Sequence, residues 1–513
     1  MVRKRPALVV SACVAGALVL GVGAVVGVRQ GLAGGSVSDE RSAVPTAVAT
    51  ATPSATPSAR ATSVDSGPTM QTTLAPVLAA VTDPVSSSSK KVAGRVAKAG
   101  KSGGKVSAAV VSADSGKRLY ANNAATTMIP ASTNKLLTTT AALELLGPQH
   151  RFETTVVATK TLPSASPSAP SAPKSPPSSS ATPSSSRSSS SSASPWSGSI
   201  VLVGGGDPYL TDAKTNASDG QGSLEELAAS TATKLKAAGV TTVRLGYNAS
   251  LFTGPTWNPD WPDGYGDVVT PTSALWVNEG RVGGAIGPRV TDPAKTAAEK
   301  FAVRLKKQGI KVSKINETKI SKNATRIAAV QSLTLQRIVE HLLMTSDNDA
   351  AEVILRQVAV ASGHTGSIEA GVAAVHKTLA GLHAWVSSTH TYDGSGLART
   401  NKVSAEALVT VLDLAASGDH PQLSPILTGL PVAGVEGSLH YRFGSDGATA
   451  GRGLVHAKTG TLHSVHSLAG YAYTPDHELL VFAFMVNGAK NDWTAVQWLD
   501  KVSAEVASCG CKR

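Results

Sequence analysis

The chain has 513 residues and a formal net charge of +12 at pH 7. That length exceeds one ordinary domain, although about a quarter to a third of the chain has a composition unfit for a hydrophobic core. Residues 1–105 carry +8 of the net charge, so the remainder is close to neutral. Because no stripe of basic and aromatic residues follows, the composition argues against a nucleic-acid-binding protein.

The N-terminus carries a targeting or anchoring signal. Arg3, Lys4 and Arg5 precede residues 7–28, an uncharged and largely apolar run. This run can span a bilayer as a helix with its basic end inside, so we predict that residues 1–30 are a membrane anchor. A cleavable signal peptide, which has the same basic flank, is the main alternative, and a lipoprotein box at Cys13 is a weaker one. All three place the rest of the chain outside the cytoplasm, anchored to the membrane or secreted.

Two low-complexity tracts divide the chain. Residues 31–73 are rich in Ala, Pro, Ser and Thr, which predicts a disordered stalk because such a segment buries too little apolar surface to offset its chain entropy. A Ser/Pro-rich tract at 162–197 lies between two apolar runs, 152–158 and 199–203, that both look like strands. We therefore predict a long disordered excursion between two paired strands.

Periodicity and turn residues predict the folded elements. Asp349 and Glu352 are also spaced as a capping box for the second helix of a pair. In chain order we predict a hairpin at 106–120, a helix at 132–146, helix-then-strand pairs at 223–245 and 293–312, a helix at 334–345, another from about 350, strands at 454–459, 467–474 and 479–486, and a helix at 492–507. Strands and helices are segregated, which favours an α+β fold around an antiparallel sheet.

Three short motifs occur in a fixed order. Each is weak alone, because Ser-x-x-Lys is usually a solvated pair, Ser-Asp-Asn a helix break, and Lys-Thr-Gly a strand ending. Together they match the acyl-serine penicillin-recognising enzymes. They are Ser132-Thr-Asn-Lys135 at a helix start, Ser346-Asp-Asn348 at a break between helices, and Lys458-Thr-Gly-Thr461 at a strand end.

The first motif suits nucleophilic catalysis. Residues three apart on a helix share a face, so the Lys135 amine can reach the Ser132 hydroxyl. Burial and nearby cations lower the pKa of a lysine, which allows it to accept the serine proton. The N-terminus of the helix adds a favourable field for the developing negative charge.

The chain resembles the class C low-molecular-mass penicillin-binding proteins, the D-alanyl-D-alanine carboxypeptidase/endopeptidase family. Besides the motifs, the segments that carry the resemblance are Pro130–Leu137, Gly204-Gly-Gly-Asp-Pro208, Asp393-Gly-Ser-Gly-Leu397, Leu430–Gly437 and Leu468-Ala-Gly-Tyr471. The resemblance implies a penicillin-binding (serine β-lactamase-like) fold, with a domain inserted between the first and second motifs. The expected domains are the anchor (1–30), the stalk (31–73), the penicillin-binding domain (74–150 and 326–507), the insert (151–325, with its loop at 162–197) and a tail (508–513).

The resemblance also implies roles for the site residues. Ser132 corresponds to the nucleophile, Lys135 to its general base and Ser346 to a proton relay toward the leaving amine. Asn348 corresponds to the group that grips the substrate amide, and Lys458 to the cation that holds the Ser346 network and attracts the terminal carboxylate. Thr459, Gly460 and Thr461 would bind substrate, with the backbone N–H groups of Ser132 and Thr461 as the oxyanion hole.

The function implied is a D-alanyl-D-alanine carboxypeptidase, with endopeptidase activity left open, acting on peptidoglycan stem peptides and inhibited by β-lactams. No metal or other cofactor is implied. One alternative is a β-lactamase or esterase on the same fold, disfavoured because we find no Glu-x-x-Leu-Asn deacylation motif. The other is a non-catalytic binding module, disfavoured by the intact set of five catalytic side chains.

Several other residues attract attention without a predicted role in catalysis. His456, His463 and His466 flank the third motif, where we expect them to pack or to face solvent. Cys509 and Cys511 form a Cys-Gly-Cys tail that could pair in an oxidising compartment, although a single spacer residue strains the bridge. An inert tail is the default expectation.

Overall fold

The structure is a computed structural model that describes residues 89–163, 196–214, 220–283 and 288–510. The predicted anchor, the predicted stalk, most of the serine tract and Cys511 lie outside these ranges. Among the described residues, none of the helices combines the length and apolar character needed to cross a bilayer. The anchor therefore stays a prediction from the sequence.

The described residues form twelve strands and ten α-helices, and a 3-10 turn at Ala131–Thr133 precedes the second helix. The strands are β1 (Lys105–Ser112), β2 (Lys117–Asn122), β3 (Thr127–Met128), β4 (Glu153–Ala158), β5 (Ser199–Val203), β6 (Thr242–Asn248), β7 (Lys311–Glu317), β8 (Thr325–Gln331), β9 (Val403–Ser404), β10 (Val455–Leu462), β11 (Val465–Tyr473) and β12 (Leu479–Asn487). The helices are α1 (Ser89–Lys98), α2 (Asn134–Leu146), α3 (Leu224–Ala237), α4 (Pro293–Lys307), α5 (Leu335–Thr345), α6 (Asn348–Ala361), α7 (Ile368–Gly381), α8 (Ala405–Ala416), α9 (Pro425–Thr428) and α10 (Asp492–Ala507).

A five-stranded antiparallel sheet, in the order β10-β11-β12-β1-β2, lies at the centre of the region predicted to be the penicillin-binding domain. Both faces of this sheet are covered, because successive side chains of a strand point to opposite faces and those of β12 are apolar on both. Phe482 and Phe484 belong to the core shared with α1 and α10, whereas Val481 and Met485 belong to the core shared with α2 and α5–α8. The α+β fold with an antiparallel sheet is confirmed, and β10 lies at an edge.

The break between α5 and α6 positions the second motif. Ser346 ends α5 in the left-handed conformation, with φ of 62°, and Asp347 caps α6 by accepting a hydrogen bond from the Ala350 N–H at 3.1 Å. The predicted capping box of Asp349 and Glu352 is therefore wrong. Since α6 begins at Asn348, both carboxylates lie inside the helix and are buried.

The residues between the first two motifs form a second five-stranded sheet in the order β7-β6-β5-β4-β8. β5, β6 and β7 are parallel, while β4 is antiparallel to both of its neighbours. An apolar core lies between this sheet and helices α3 and α4. The pairing of β4 with β5 agrees with the strands predicted on either side of the serine tract. Because β8 pairs with β4, the sheet extends past residue 325, the predicted end of the insert.

Candidate active site

Ser132 lies in the 3-10 turn that leads into α2. The turn is tight: Ala131 adopts the left-handed region, with φ of 49°. Strand β10 passes so close to the turn that a Cβ atom at Gly460 would lie 2.6 Å from the Pro130 carbonyl oxygen and 3.2 Å from the Ser132 nitrogen. Only glycine fits between the third motif and the nucleophile turn, which explains why Gly460 stands in that motif.

Lys135 connects the first and second motifs. Its Nζ atom lies 3.0 Å from Ser132 Oγ, 2.7 Å from Asn348 Oδ1 and 2.8 Å from the backbone oxygen of Ser395. Asn348 Oδ1 and the Ser395 carbonyl oxygen can only accept hydrogen bonds. A neutral Lys135 amine would therefore donate its two N–H groups to them. Its lone pair would then face the Ser132 hydroxyl. This geometry suits a base that receives the serine proton.

Burial also shifts the pKa of Lys135 in the direction that a general base requires. The side chain is fully buried, and desolvation lowers the pKa of Lys135 to about 8, against the opposing influence of nearby carboxylates led by Asp393. A lysine at its ordinary pKa would be almost entirely protonated near neutrality. At a pKa of about 8 a useful fraction of the amine is free to act as a base.

Lys458 connects the second and third motifs. Its Nζ atom donates to Ser346 Oγ at 2.7 Å and to the backbone oxygen of Thr459 at 2.8 Å. Lys458 is fully buried, and burial together with the charge of Lys135 lowers the pKa of Lys458 well below its usual value. A substrate carboxylate placed here would oppose that shift, because a nearby opposite charge favours the protonated amine.

Among the described residues, backbone hydrogen bonds cover the outer edge of β10 along its first half, and none is made along its second half. Ala433 donates to the carbonyl of Val455, and Ala457 donates to the carbonyl of Pro431, at 2.9 Å each. Backbone groups alternate along a strand, so those of Thr459 and Thr461 face the same outer edge. Thr461 is exposed, and the Thr459 hydroxyl lies 2.8 Å from Ser438 Oγ. An extended peptide can therefore add to this edge beside Ser132.

The loop from Asp393 to Ala398 is a part of the site that sequence reasoning did not assign to it. Ser395 supplies the carbonyl that accepts from Lys135. Two buried carboxylates fix this loop: Glu352 accepts from the N–H groups of Gly394 and Ser395, while Asp393 accepts from those of Gly396 and Ala398. Burial and Asp393 raise the pKa of Glu352 to about 7.

The sequence held one signal for this loop. Gly396 has φ of 86°, and a Cβ atom at this position would overlap the Ala131 carbonyl, so the glycine is needed for the loop to approach the nucleophile turn. Asp393-Gly-Ser-Gly-Leu397 was among the segments that carried the family resemblance, but its contact with Lys135 depends on tertiary packing.

The three histidines near the third motif have separate environments. His456 stacks on Tyr471 with ring centroids 4.7 Å apart. His466 is buried, with Nε2 2.9 Å from Asp492 Oδ1, whereas the side chain of His463 is exposed. These positions agree with the packing and surface roles expected for them.

The structure brings the eight predicted site residues into one region. Ser132, Lys135 and Asn348 form one connected group, and Ser346, Lys458 and Thr459 form another. Gly460 and Thr461 follow on the strand that passes the nucleophile turn. A serine hydroxyl beside a buried lysine, at the open edge of an antiparallel sheet, defines a serine acyl-transfer enzyme with the penicillin-binding fold.

Comparisons with known proteins identify the family. Residues 88–167, 187–288 and 283–505 match the D-Ala-D-Ala carboxypeptidase 3 (S13) family. A carboxypeptidase from Mycobacterium tuberculosis is 30% identical over 418 residues, which cover 80% of this chain and 81% of that one. The D-alanyl-D-alanine carboxypeptidase of an Actinomadura species is 27% identical, covering 74% and 77% of the two chains.

A solved structure agrees on the fold. The crystal structure of penicillin binding protein 4 from Haemophilus influenzae superposes with a TM-score of 0.64 at 19% identity, covering 82% of this chain and 99% of that one. The chain belongs to the D-Ala-D-Ala carboxypeptidase 3 (S13) family, and it is a serine-type D-Ala-D-Ala carboxypeptidase.

Proposed function

We propose that Ser132 forms the acyl-enzyme with the penultimate D-alanine of a peptidoglycan stem peptide. The observation that carries this proposal is the three-way contact of Lys135 with Ser132, Asn348 and Ser395, which leaves the lone pair of a neutral amine to the serine hydroxyl. Lys135 takes the proton as Ser132 Oγ attacks the carbonyl carbon. The N–H groups of Ser132 and Thr461 stabilise the oxyanion.

Collapse of this intermediate breaks the peptide bond. Ser346, held by Lys458, passes its hydroxyl proton to the departing D-alanine nitrogen and regains a proton from Lys135, which returns Lys135 to the neutral amine. Lys458 holds the terminal carboxylate. Asn348 grips the amide of the substrate backbone. Water then attacks the ester carbonyl and gives up a proton to the neutral Lys135 amine. Lys135 passes this proton to Ser132 Oγ as the ester bond breaks, which releases the shortened peptide and the free Ser132 hydroxyl. No step in this sequence requires a metal ion or a cofactor.

The same chemistry extends to β-lactams and to the endopeptidase reaction. A β-lactam carries a strained amide that Ser132 can open, so we propose that β-lactams inhibit through a slowly hydrolysed acyl-enzyme. Carboxypeptidase and endopeptidase reactions break the same bond to D-alanine and differ in what is attached to the leaving amine. We propose the carboxypeptidase reaction as the principal one, because buried Lys458 suits a free terminal carboxylate.

Release of D-alanine from a diacyl-Lys-D-Ala-D-Ala peptide tests the proposal. We expect release from the free acid and much slower release from the same peptide with an amidated end. An enzyme that ignores amidation and clears penicillin rapidly would be a β-lactamase instead. A protein that does neither, and forms no penicillin adduct, would be a binding module.

We further propose that residues 1–30 tether the enzyme to the outer side of the cell membrane. The support is the uncharged run at 7–28 behind Arg3, Lys4 and Arg5. Cells that express the full chain should hold the enzyme in the membrane fraction with its intact N-terminus. Recovery of a shortened chain in the culture medium would show a cleaved signal peptide instead.

A further inference from the structure

A segment of the insert runs beside the start of α6 and contacts two successive residues there. The Asn348 side chain donates from Nδ2 to the Val268 carbonyl at 3.0 Å. The Thr270 N–H donates to Asp349 Oδ1 at 2.7 Å. Residues 268–270 of the insert are therefore hydrogen-bonded to the residue that grips the substrate amide and to its neighbour.

The contact with Val268 determines which way the Asn348 carboxamide faces. Its Oδ1 atom accepts from Lys135 at 2.7 Å, so its Nδ2 atom must point the opposite way. One N–H of that amide donates to Val268, and the other remains for a substrate carbonyl. If the Val268 carbonyl moved, the Asn348 amide could rotate, and its hydrogen bonds to Lys135 and to the substrate would be weakened or lost.

Asp349 holds this insert segment in place. The carboxylate is 1% exposed, and besides Thr270 it meets two arginines of the insert at Oδ2: Arg281 Nη2 at 3.2 Å and Arg289 Nη2 at 3.0 Å. The Thr270 hydroxyl donates to the Glu279 carbonyl at 2.7 Å, which joins residues 268–270 to the segment that carries the arginines. Removing this carboxylate would leave both arginines without their buried partner, which is strongly destabilising.

We propose that Asp349, which lies outside the three motifs, is a positioning residue of the active site. It fixes residues 268–270, and through the Val268 carbonyl it holds the Asn348 amide in the orientation that catalysis needs. The insert thereby contributes to the active site without supplying any of the five catalytic side chains. This inference rests on the proposed function in one respect, the role of Asn348 in gripping the substrate amide.

A double-mutant cycle between Asp349 and Asn348 tests the proposal. We would measure kcat/KM for the diacyl-Lys-D-Ala-D-Ala peptide, per folded molecule, in the wild type, D349A, N348A and the double variant. We expect a loss of about 10- to 30-fold for D349A and about 100-fold for N348A, with the double variant close to N348A alone. Losses that multiply in the double variant would overturn the proposal.

Asp500 provides a matched control. It is a buried carboxylate that likewise accepts from an arginine, Arg442, and from a backbone N–H, that of Phe443 at 3.2 Å. D500A should lower Tm to a degree comparable with D349A yet keep the wild-type kcat/KM per folded molecule. A D349A variant that only loses Tm in the same way would show that Asp349 is merely structural.

A second variant keeps the test decisive if D349A does not fold. D349N retains an acceptor for Thr270 and weakens only the arginine pairs, so we expect a smaller loss that disappears in the N348A background. The same loss in both backgrounds would contradict the proposal. A wild type that releases no D-alanine would instead refute the proposed function, so the two failures are distinguishable.

Discussion

The two five-stranded sheets of this protein differ in what they bury. The inserted sheet and helices α3 and α4 share a core of aliphatic and aromatic side chains such as Leu202 and Phe301. The antiparallel sheet and its helices surround fully buried lysines, Lys135 and Lys458, and buried carboxylates. Burying a charge is costly unless it is paired and hydrogen-bonded. The contrast indicates that one region is built for chemistry and the other mainly for shape. Residues 268–270 are one of several places where the two regions meet.

The largest effect should come from the nucleophile. S132A removes the hydroxyl that Lys135 contacts at 3.0 Å, and we expect loss of D-alanine release by at least about 1000-fold, because no covalent intermediate can form. Tm should change little, since the serine hydroxyl is half-buried and small. Residual turnover within tenfold of the wild type would mean that another residue is acylated.

Lys458 should have the next largest effect. K458A removes a charge-assisted contact to the terminal carboxylate, which should cost roughly 2–4 kcal/mol, or about 30- to 1000-fold in kcat/KM. Amidating the peptide end should weaken the wild type by a similar factor and K458A much less, because the charge partner is already missing. Equal sensitivity to amidation in both proteins would place carboxylate recognition elsewhere.

The rate of acylation by penicillin should depend on pH through Lys135. The reactive form is the neutral amine, and burial lowers the pKa of Lys135 to about 8. The rate should therefore rise with pH through a midpoint near 8 and level off above it, in place of a midpoint at the ordinary lysine pKa of 10.5. Circular dichroism across the same range controls for unfolding. A rate independent of pH between about 6 and 9 would rule out Lys135 as the base.

The core of the insert should affect stability without affecting the rate. Phe301 is fully buried between α4 and the inserted sheet. F301A should lower the free energy of unfolding by about 3–5 kcal/mol through the cavity it leaves. The penicillin acylation rate per folded molecule should stay within about twofold of the wild type, because the site lies on the other sheet. A large fall in that rate would remove the distinction between the two regions.

The serine tract should matter least. The strands that flank it pair directly, with Ala158 opposite Ile200. Deleting residues 164–194 should leave both the thermal unfolding curve and the penicillin acylation rate close to those of the wild type. A substantial loss in either would show that the tract has a structural role.

Local signals in the sequence were enough to predict much of the fold. The last helix was predicted at 492–507 and is found at Asp492–Ala507, since Asn491 caps it by accepting from the Thr494 N–H. The three motifs likewise carry their own local geometry. Hydrophobic patterns found most strands of both sheets but missed β8, and they could not give the strand order, which depends on pairings between residues far apart in the chain.

Contacts between elements that are distant in the chain could not be predicted from local sequence signals. The Ser395 carbonyl reaches Lys135 only because Gly396 lets its loop approach Ala131. Asp349 was assigned to a capping box on its spacing, whereas its carboxylate is bound by residues of the insert. In both places the deciding partner lies far away in the sequence, and nothing in the local pattern distinguishes a helix cap from a buried tertiary contact.

Mapping the penicillin adduct tests the central claim most directly. The full chain would be incubated with penicillin and digested, and the modified peptide would be sequenced by mass spectrometry. We predict a single adduct on Ser132, the serine in contact with the buried Lys135 amine. An adduct on Ser346, Ser395 or any other serine would contradict the account.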